Sequence, residues 1–422
     1  MNITDLLKGR KNCPCGRDHS CDIRHVVIKK NAADDLYGLC SQYKHILVAA
    51  DDNTYAAYGK RVTGALADKV ENVKVFSVKD HILVPNEKAI DALSALITEK
   101  TDLILGVGSG VINDLCKYVS FRHGLRYYIV ATAPSMDGYA SDGAAMITND
   151  MKTTFPARVP EAIIADTAVI ANAPKDMRIA GFGDIMGKYS ALSDWRLSAL
   201  VNGEYFCDFV HDLTYDTMLA TRALASGVVS GSEEAAQTLM EALVIVGIAM
   251  AFVGNSRPAS GSEHHLSHYF EITGLVKNRP YLPHGTDVFY STAVTQRLRE
   301  KLLALDGVPD TLYKFDRADW ETHIRESYGK AANGVIALQD KLGSYARDLA
   351  PVYREKWADI RKILASTPSY DEITALIESV GLSMDEFERF YGKDVIDDAI
   401  LYAKDLKDRY TVLWVYFLLC NK

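Results

Sequence analysis

Three histidines and one aspartate in the second half of the chain have the types and spacing of a metal site. The segment SRPASGSEHHLSHYFE sets His264 and His268 four residues apart on one helix face and directs His265 elsewhere. The segment PHGTD places His284 in a tight turn that opens another helix. GFGDIMGK places Asp184 directly after two glycines, where a helix is expected to start. Asp184 reads there either as an N-cap or as a ligand. Two neutral imidazoles and one carboxylate leave a divalent metal with net positive charge and open positions. A hydroxyl bound to such a metal loses its proton more readily, and a bound carbonyl is polarised.

A second stretch suits a nucleotide. DLILGVGSGVINDLCK reads as a strand (Leu103-Ile104-Leu105), a turn of Gly106, Gly108 and Gly110, and a helix. Backbone at such a turn can approach a pyrophosphate closely, with free N–H groups of the helix start pointing at it. The same spacing also serves geometry alone in many βα turns. Tyr128-Ile129-Val130 forms the next strand and runs into a loop of small polar residues: Thr132, Ser135, Asp137 and Ser141. A nicotinamide ring held beside a metal-bound alcohol or ketone would give hydride transfer.

These residues need a frame, and the pattern supplies one. Strands are expected at His25–Ile28, His45–Ala50, Val73–Val78 and Ala162–Ile170, with a hairpin over Met146–Thr154 around Asn149-Asp150. Asn53 or Thr54 is the expected cap of a helix reaching about Val70, and Pro85 is expected to open another that reaches Lys100. Strands alternating with helices imply a parallel, Rossmann-like sheet covered on both faces, whose ligands collect at the strands' carboxyl ends. Past about Ala173 helical periodicity dominates, with long helices expected at Asp184–Leu200, Tyr215–Ser230 and Glu233–Val253. The expected organisation is an α/β domain over residues 1–172, an all-helical domain over 173–422, and an active site in the cleft between them.

With 422 residues, 48% hydrophobic and 24% charged, the chain has globular proportions and length for two domains. A net charge of -8 without a basic block argues against nucleic acid as partner. MNITDLLKGRKN lacks the apolar core of a signal peptide, and apolar runs such as Leu243–Val253 are shorter than a membrane span, so a cytoplasmic location is expected. Seven cysteines do not form a disulfide pattern, but Cys13, Cys15, His19 and Cys21 cluster in CPCGRDHSC. That cluster reads either as a structural metal site or as a reduced, glycine-turned loop, since it lacks the usual C-x2-C knuckles.

Taken together, these segments resemble the group-III, metal-dependent (iron-containing-type) alcohol dehydrogenase superfamily. Within it they are most similar to the sn-glycerol-1-phosphate dehydrogenases, especially the bacterial branch. GVGSGVINDLCK looks like the family's glycine-rich segment, with Ser109 where a glycine is more usual. ATAPSMDGYASDGAAMI looks like the loop carrying nicotinamide and substrate contacts, ADDNTY like the second-strand end, and SGSEHHLSH and PHG like the two metal-histidine segments. The similarity runs roughly from Val26 to Val294.

The resemblance implies a dehydroquinate synthase-like fold, and NAD(H) or NADP(H) with one divalent metal (zinc, nickel or iron) as cofactors. The implied reaction is reversible reduction of dihydroxyacetone phosphate to sn-glycerol 1-phosphate by a homodimer. It assigns Asp51, aided by Asp52, to the adenosine ribose, which favours NAD. Gly108, Ser109, Gly110 and Val111 would cradle the pyrophosphate, supported by Asp114 and Lys117, and Thr132, Ser135 and Ser141 would contact the nicotinamide half. Asp184, His264 and His284 would hold the metal. Asp137 and His268 would act on substrate, to which Asp184 could add a contact. His264 is preferred over His265 because Glu-His followed by a histidine four later is the family pattern. The substrate phosphate would need donors such as Asn255, Ser256 and Arg257, although Arg257 also reads as a surface ion pair.

Overall fold

The apolar runs ILVAAD and LILGVG cannot alternate between a wet and a dry face, so both must be buried on two sides. In the computed structural model, which describes residues 2–79, 83–148 and 151–421, they lie at the middle of a six-stranded parallel sheet. The strands are β1 (His25–Lys29), β2 (Ile46–Asp51), β3 (Val70–Phe76), β4 (Leu103–Gly108), β5 (Arg126–Ala131) and β8 (Ala162–Asp166), in the order β1-β8-β5-β4-β2-β3. Two further strands, β6 (Gly143–Thr148) and β7 (Met151–Pro156), form a separate antiparallel hairpin. The expected hairpin tip, Asn149-Asp150, lies outside the described residues.

The period-2 rule sorts the side chains. Val48, Ala50, Leu103, Leu105, Val107, Tyr128, Val130, Ala162 and Ile164 share one buried cluster with Leu36, Val62 and Leu66. On the other face the helix Gly110–Arg122 lies so close to β4 that a Cβ on Gly108 would sit 2.6 Å from the Cβ of Ile112. From β2 the chain moves outward to β3, then returns across β2 to β4. The winding direction therefore reverses at the β2–β4 pair, where Asp51 and Gly108 end their strands. Such a reversal is where open α/β sheets bind ligands.

Several element boundaries differ from expectation. Asp51, rather than Asn53 or Thr54, caps the turn after β2: its carboxylate accepts from Thr54 N–H, and the Thr54 hydroxyl accepts from Asp51 N–H. That helical run ends at Ala65 and β3 starts at Val70, so the expected strand is displaced toward the N-terminus. The next helix is shorter than expected, Glu87–Ser94, and Asn86 rather than Pro85 caps it. β8 stops at Asp166, whose side chain caps the short helix Thr167–Ala171.

Two compact units result, one of Met1–Ile185 with Asp216–Asn255 and one of Met186–Tyr215 with Ser256–Lys422. The first holds the sheet, the hairpin and the helix Glu233–Val253. That helix is long and apolar enough to cross a membrane, contrary to the run lengths visible in the sequence, but it is mostly buried. Gly247 lets it approach the 137–140 turn, since a Cβ there would meet the Cβ of Ala140 at 2.5 Å. The second unit is helical and includes Lys188–Asn202, Ser262–Val276 and His284–Leu303.

One contact in the first unit admits no side chain. A Cβ on Gly181, within the helix Lys175–Met186, would stand 1.7 Å from the Pro134 carbonyl oxygen. Gly181→Ala should therefore push the 132–137 loop away and cost about 1–3 kcal/mol in urea unfolding. Gly334→Ala, in a helix with open space around it, should be neutral or stabilising in the same measurement.

Candidate functional site

The residues expected at the nucleotide end of the sheet are tied together by one buried lysine. Lys117 is fully buried on the helix Gly110–Arg122, and its Nζ donates to the carbonyls of Gly138 (2.8 Å) and Gly143 (3.0 Å) and to Ser141 Oγ (3.1 Å). Asp114 stands 3.7 Å from that ammonium, and its Oδ2 accepts from Ala145 N–H. Burial lowers the Lys117 pKa, and the neighbouring Asp114, Asp142 and Asp137 carboxylates oppose that shift. Lys117, Asp114 and Ser141 thus brace the 138–145 loop, and Ser141 is engaged with Gly138 and Gly143 as well. Ser109 has φ -109°, an ordinary value, so the residue that replaces a glycine imposes no strain. Thr132 is buried at the end of β5, its N–H on the Gly108 carbonyl, and Ser135 is hydrogen-bonded near Tyr139. Asp51 has one carboxylate oxygen on Thr54, and Asp52 accepts from Val78 N–H.

The 132–141 loop also reaches one expected metal ligand, Asp184. Asp137 N–H donates to Asp184 Oδ2 at 3.0 Å, which fixes the rotamer of that carboxylate. Asp184 is fully buried in the third turn of the helix Lys175–Met186. The expected helix start at Asp184 is therefore wrong, and so is the N-cap reading. The two glycines before it are helical, and Gly181 is there for the Pro134 approach.

Of the expected ligands, His264 and His284 belong to the helical unit and Asp184 to the sheet-bearing one. The rings of His264, His268 and His284 are mutually close, with centroids 5.1, 5.5 and 6.1 Å apart. Each of the two expected ligand imidazoles is held through Nδ1. His264 Nδ1 is 2.7 Å from Glu263 Oε1, and His284 Nδ1 is 3.3 Å from Ser267 Oγ. Partners on Nδ1 leave Nε2 as the coordinating atom, the arrangement typical of bound histidine. Two imidazoles oriented in this way, with a carboxylate as third donor, are of the chemistry that fits a divalent metal with open positions. His265 is fully buried outside this set, and neither ring nitrogen has a partner among the described residues. Burial, with the cations Lys407, Arg409 and Arg257 nearby, holds it neutral.

The residues that hold the histidine segment come largely from places the sequence reading left unassigned. Asp194, fully buried, accepts from Ser262 N–H at 2.7 Å at the start of the histidine helix. It also pairs with buried Arg299 (2.8 Å) and accepts from Val412 N–H (3.0 Å). Burial raises the Asp194 pKa and Arg299 opposes it. Lys188 donates to the Ala259 carbonyl, Lys407 to Ser260 Oγ, and Arg409 to Ser256 Oγ and the Ser260 carbonyl. Burial and the Arg257 charge bring the Arg409 pKa down to about 10.

Arg257 corrects both readings made of it. It is buried, so it forms no surface pair. Its guanidinium donates to both Glu204 carboxylate oxygens, to Ser198 Oγ and to the Tyr410 carbonyl, which spends it on the fold rather than on a substrate phosphate.

A family model described as iron-containing alcohol dehydrogenase matches residues 27–174. The glycerol-1-phosphate dehydrogenase (NAD(P)+) of Halalkalibacterium halodurans is 30% identical over 422 residues, covering 98% of each chain. That of Bacillus subtilis is 32% identical over 402 residues, 93% of this chain and 90% of its own. Among solved structures, sulfoacetaldehyde reductase from Bifidobacterium kashiwanohense superposes with a TM-score of 0.61 at 14% identity, over 96% of this chain and 99% of that one. An iron-containing alcohol dehydrogenase from Thermococcus thioreducens gives 0.59 at 13% identity over 90% of each. The architecture is thus the dehydroquinate synthase-like fold.

Two substitutions test the supporting framework. Asp194→Ala leaves Arg299 buried and unpaired and should cost about 3–5 kcal/mol in denaturant unfolding. Arg257→Ala should lower the thermal midpoint by several degrees, while the Michaelis constant for a phosphorylated substrate stays unchanged in steady-state assays.

Proposed function

We propose, from the premise that this chain belongs to the glycerol-1-phosphate dehydrogenase family, that its site reduces dihydroxyacetone phosphate reversibly to sn-glycerol 1-phosphate with NADH or NADPH. It is an NAD(P)-dependent oxidoreductase acting on a CH–OH group. The observation that supports the residue assignment is the clustering of the His264, His268 and His284 rings, with Nδ1 of His264 and of His284 each held by a neighbour, beside the Asp137 N–H that fixes the Asp184 carboxylate in its own unit.

Asp184, His264 and His284 would hold a divalent metal such as zinc, nickel or iron. When bound, that ion supplies a Lewis acid for the substrate's carbonyl oxygen. The nicotinamide, when bound, supplies or accepts the hydride. The remaining work belongs to the chain. The backbone of Gly108, Ser109, Gly110 and Val111 at the helix start receives the pyrophosphate, and Gly108 is small enough to let it approach. The carboxylate oxygen of Asp51 not used by Thr54 accepts from the ribose hydroxyls, which disfavours a 2′-phosphate. Thr132 and Ser135 orient the nicotinamide half, while Lys117, Asp114 and Ser141 keep their loop in register. The Asp137 carboxylate accepts from a substrate hydroxyl. The His268 imidazole, beside both ligand rings, moves the proton to and from the product oxygen. A cytoplasmic homodimer acting on a small phosphorylated substrate completes the reading.

Purified protein loaded in turn with zinc, nickel or iron should oxidise NADH with dihydroxyacetone phosphate, and chiral analysis should identify the product as sn-glycerol 1-phosphate. Glycerol oxidised as efficiently as glycerol 1-phosphate would overturn the assignment in favour of an unphosphorylated polyol. Asp137→Ala should reduce kcat by at least tenfold while leaving NADH binding, read by fluorescence, unchanged.

A further inference from the structure

The helical unit gathers positive charge around residues 256–260, which lead into its histidine helix. Arg257 stands within them, the Ala259 carbonyl accepts from Lys188 at 3.0 Å, and Ser260 Oγ accepts from Lys407 at 3.3 Å. Arg409 donates to the Ser260 carbonyl (3.2 Å) and to Ser256 Oγ (2.7 Å). The segment already closes on itself, since Ala259 N–H and Ser260 N–H both donate to the Ser256 carbonyl, at 3.0 and 2.8 Å. A turn held by its own backbone does not need four cations, and bringing like charges together out of water costs energy.

The nearby carboxylates do not balance this charge. Glu204 gives both oxygens to Arg257, and Glu263 gives Oε1 to Gly261 N–H and His264. Asp408 is exposed. Arg409 is partly buried, and its guanidinium has a hydroxyl and a carbonyl as partners, with no ion pair among the described residues. Neutral acceptors offset only part of the cost of drawing a charge out of water, and an anion would offset more.

His265 is a second, separate sign. It is fully buried, and neither Nδ1 nor Nε2 has a hydrogen-bond partner among the described residues. The charged side chains that act on it are Lys407, Arg409 and Arg257, together with His264, and no carboxylate is among them. A neutral imidazole always carries one N–H, so a buried donor without an acceptor stands beside the same cations. The two serines add to this. Each hydroxyl oxygen accepts from a cation, which leaves its own proton to be donated elsewhere.

We propose, resting on the phosphorylated substrate inferred above, that Arg409 and Lys407 seat its phosphate together with the Ser256 and Ser260 hydroxyls and the His265 N–H. A phosphomonoester carries about -1.5 to -2 charges at pH 7 and three strong acceptor oxygens. Arg409 meets it with a planar fork of N–H donors and Lys407 with a point charge. The seat takes the part that the sequence reading gave to Arg257, which is spent on Glu204. It lies at the entry of the helix that carries His264 and His268, and all of its residues belong to that helix's own unit. The competing arrangement is purely structural, with Arg409 and Lys407 only pinning the 256–260 turn.

Phosphate binding separates the two without turnover. The full chain, saturated with NADH to fill the pyrophosphate turn, is titrated calorimetrically with inorganic phosphate at an ionic strength fixed with chloride. Wild type should bind, and Arg409→Gln and Lys407→Gln should each weaken binding about tenfold or more, the worth of one lost charge-assisted hydrogen bond. Arg409→Lys should lose less. Arg354→Gln, which removes an exposed arginine bonded to the Asp310 carbonyl, should bind as wild type does. In steady-state assays of the metal-loaded chain, both glutamine variants should raise KM for dihydroxyacetone phosphate about tenfold or more and leave kcat/KM for unphosphorylated dihydroxyacetone within about twofold. If neither glutamine variant folds, phenylglyoxal labelling of wild type, mapped by peptide mass spectrometry, should spare Arg409 in phosphate and not in chloride. Wild type that binds no phosphate, unchanged affinity in folded glutamine variants, equal losses on both substrates, or Arg409 labelled alike in both salts would overturn the seat. If the chain binds phosphate through Arg409 yet leaves dihydroxyacetone phosphate unreduced, the seat stands and the reduction falls. Turnover of that substrate unaffected by either variant gives the reverse.

Discussion

The helical unit depends on a carboxylate that never meets water. Asp194 is fully buried, and three partners offset its charge: the Arg299 guanidinium and the Ser262 and Val412 N–H groups, with Arg299 itself bound to the Ser190 carbonyl. Asp194 lies on the helix Lys188–Asn202, and its partners belong to the helices Ser262–Val276 and His284–Leu303 and to the 411–420 segment. A single desolvated ion pair therefore sets the start of the helix that carries His264 and fixes it against the helix that His284 opens. Replacing the pair by apolar residues could preserve packing, but it would not give direction to the Ser262 N–H, and direction is what a ligand geometry needs.

The sheet-bearing unit uses the same device with opposite sign. Lys117 is a fully buried cation whose three acceptors all lie in the 138–143 loop, with Asp114 as counter-charge. The loop is thus gripped from beneath by a helix that starts at the glycine turn. The turn's position and the position of Asp137 are therefore set by one element. Glu263 plays the equivalent part for His264, accepting from Gly261 N–H while it orients the imidazole.

How much of this the sequence disclosed follows from how local each signal is. The apolar strands β2, β4 and β5, the helix Glu233–Val253 and the four-residue spacing of His264 and His268 are local patterns, and they were legible. Asp184 was legible as a candidate but misread as a helix start, because two glycines look like punctuation. Only the Pro134 carbonyl, 47 positions earlier in the chain, reveals that the first of them, Gly181, is a packing site. Arg257 was read for its charge and its neighbours in the chain, whereas its partners are Glu204 and Tyr410. Lys407, Arg409, Asp194 and Arg299 carry no motif, since what identifies each is a partner 100 or more residues away.

The helix Glu233–Val253 has a consequence for synthesis. It has the length and apolarity of a membrane-spanning segment, so a ribosome-bound chain exposing it would offer a substrate to insertion machinery and to chaperones. Its covering surfaces, the 137–140 turn and the helix Thr167–Ala171, lie earlier in the chain. They have left the exit tunnel before the helix does, and the sheet that supports them ends at Asp166. The order of elements along the chain thus lets the most insertion-prone segment be sequestered as it emerges, before the segments carrying His264, His268 and His284 are translated.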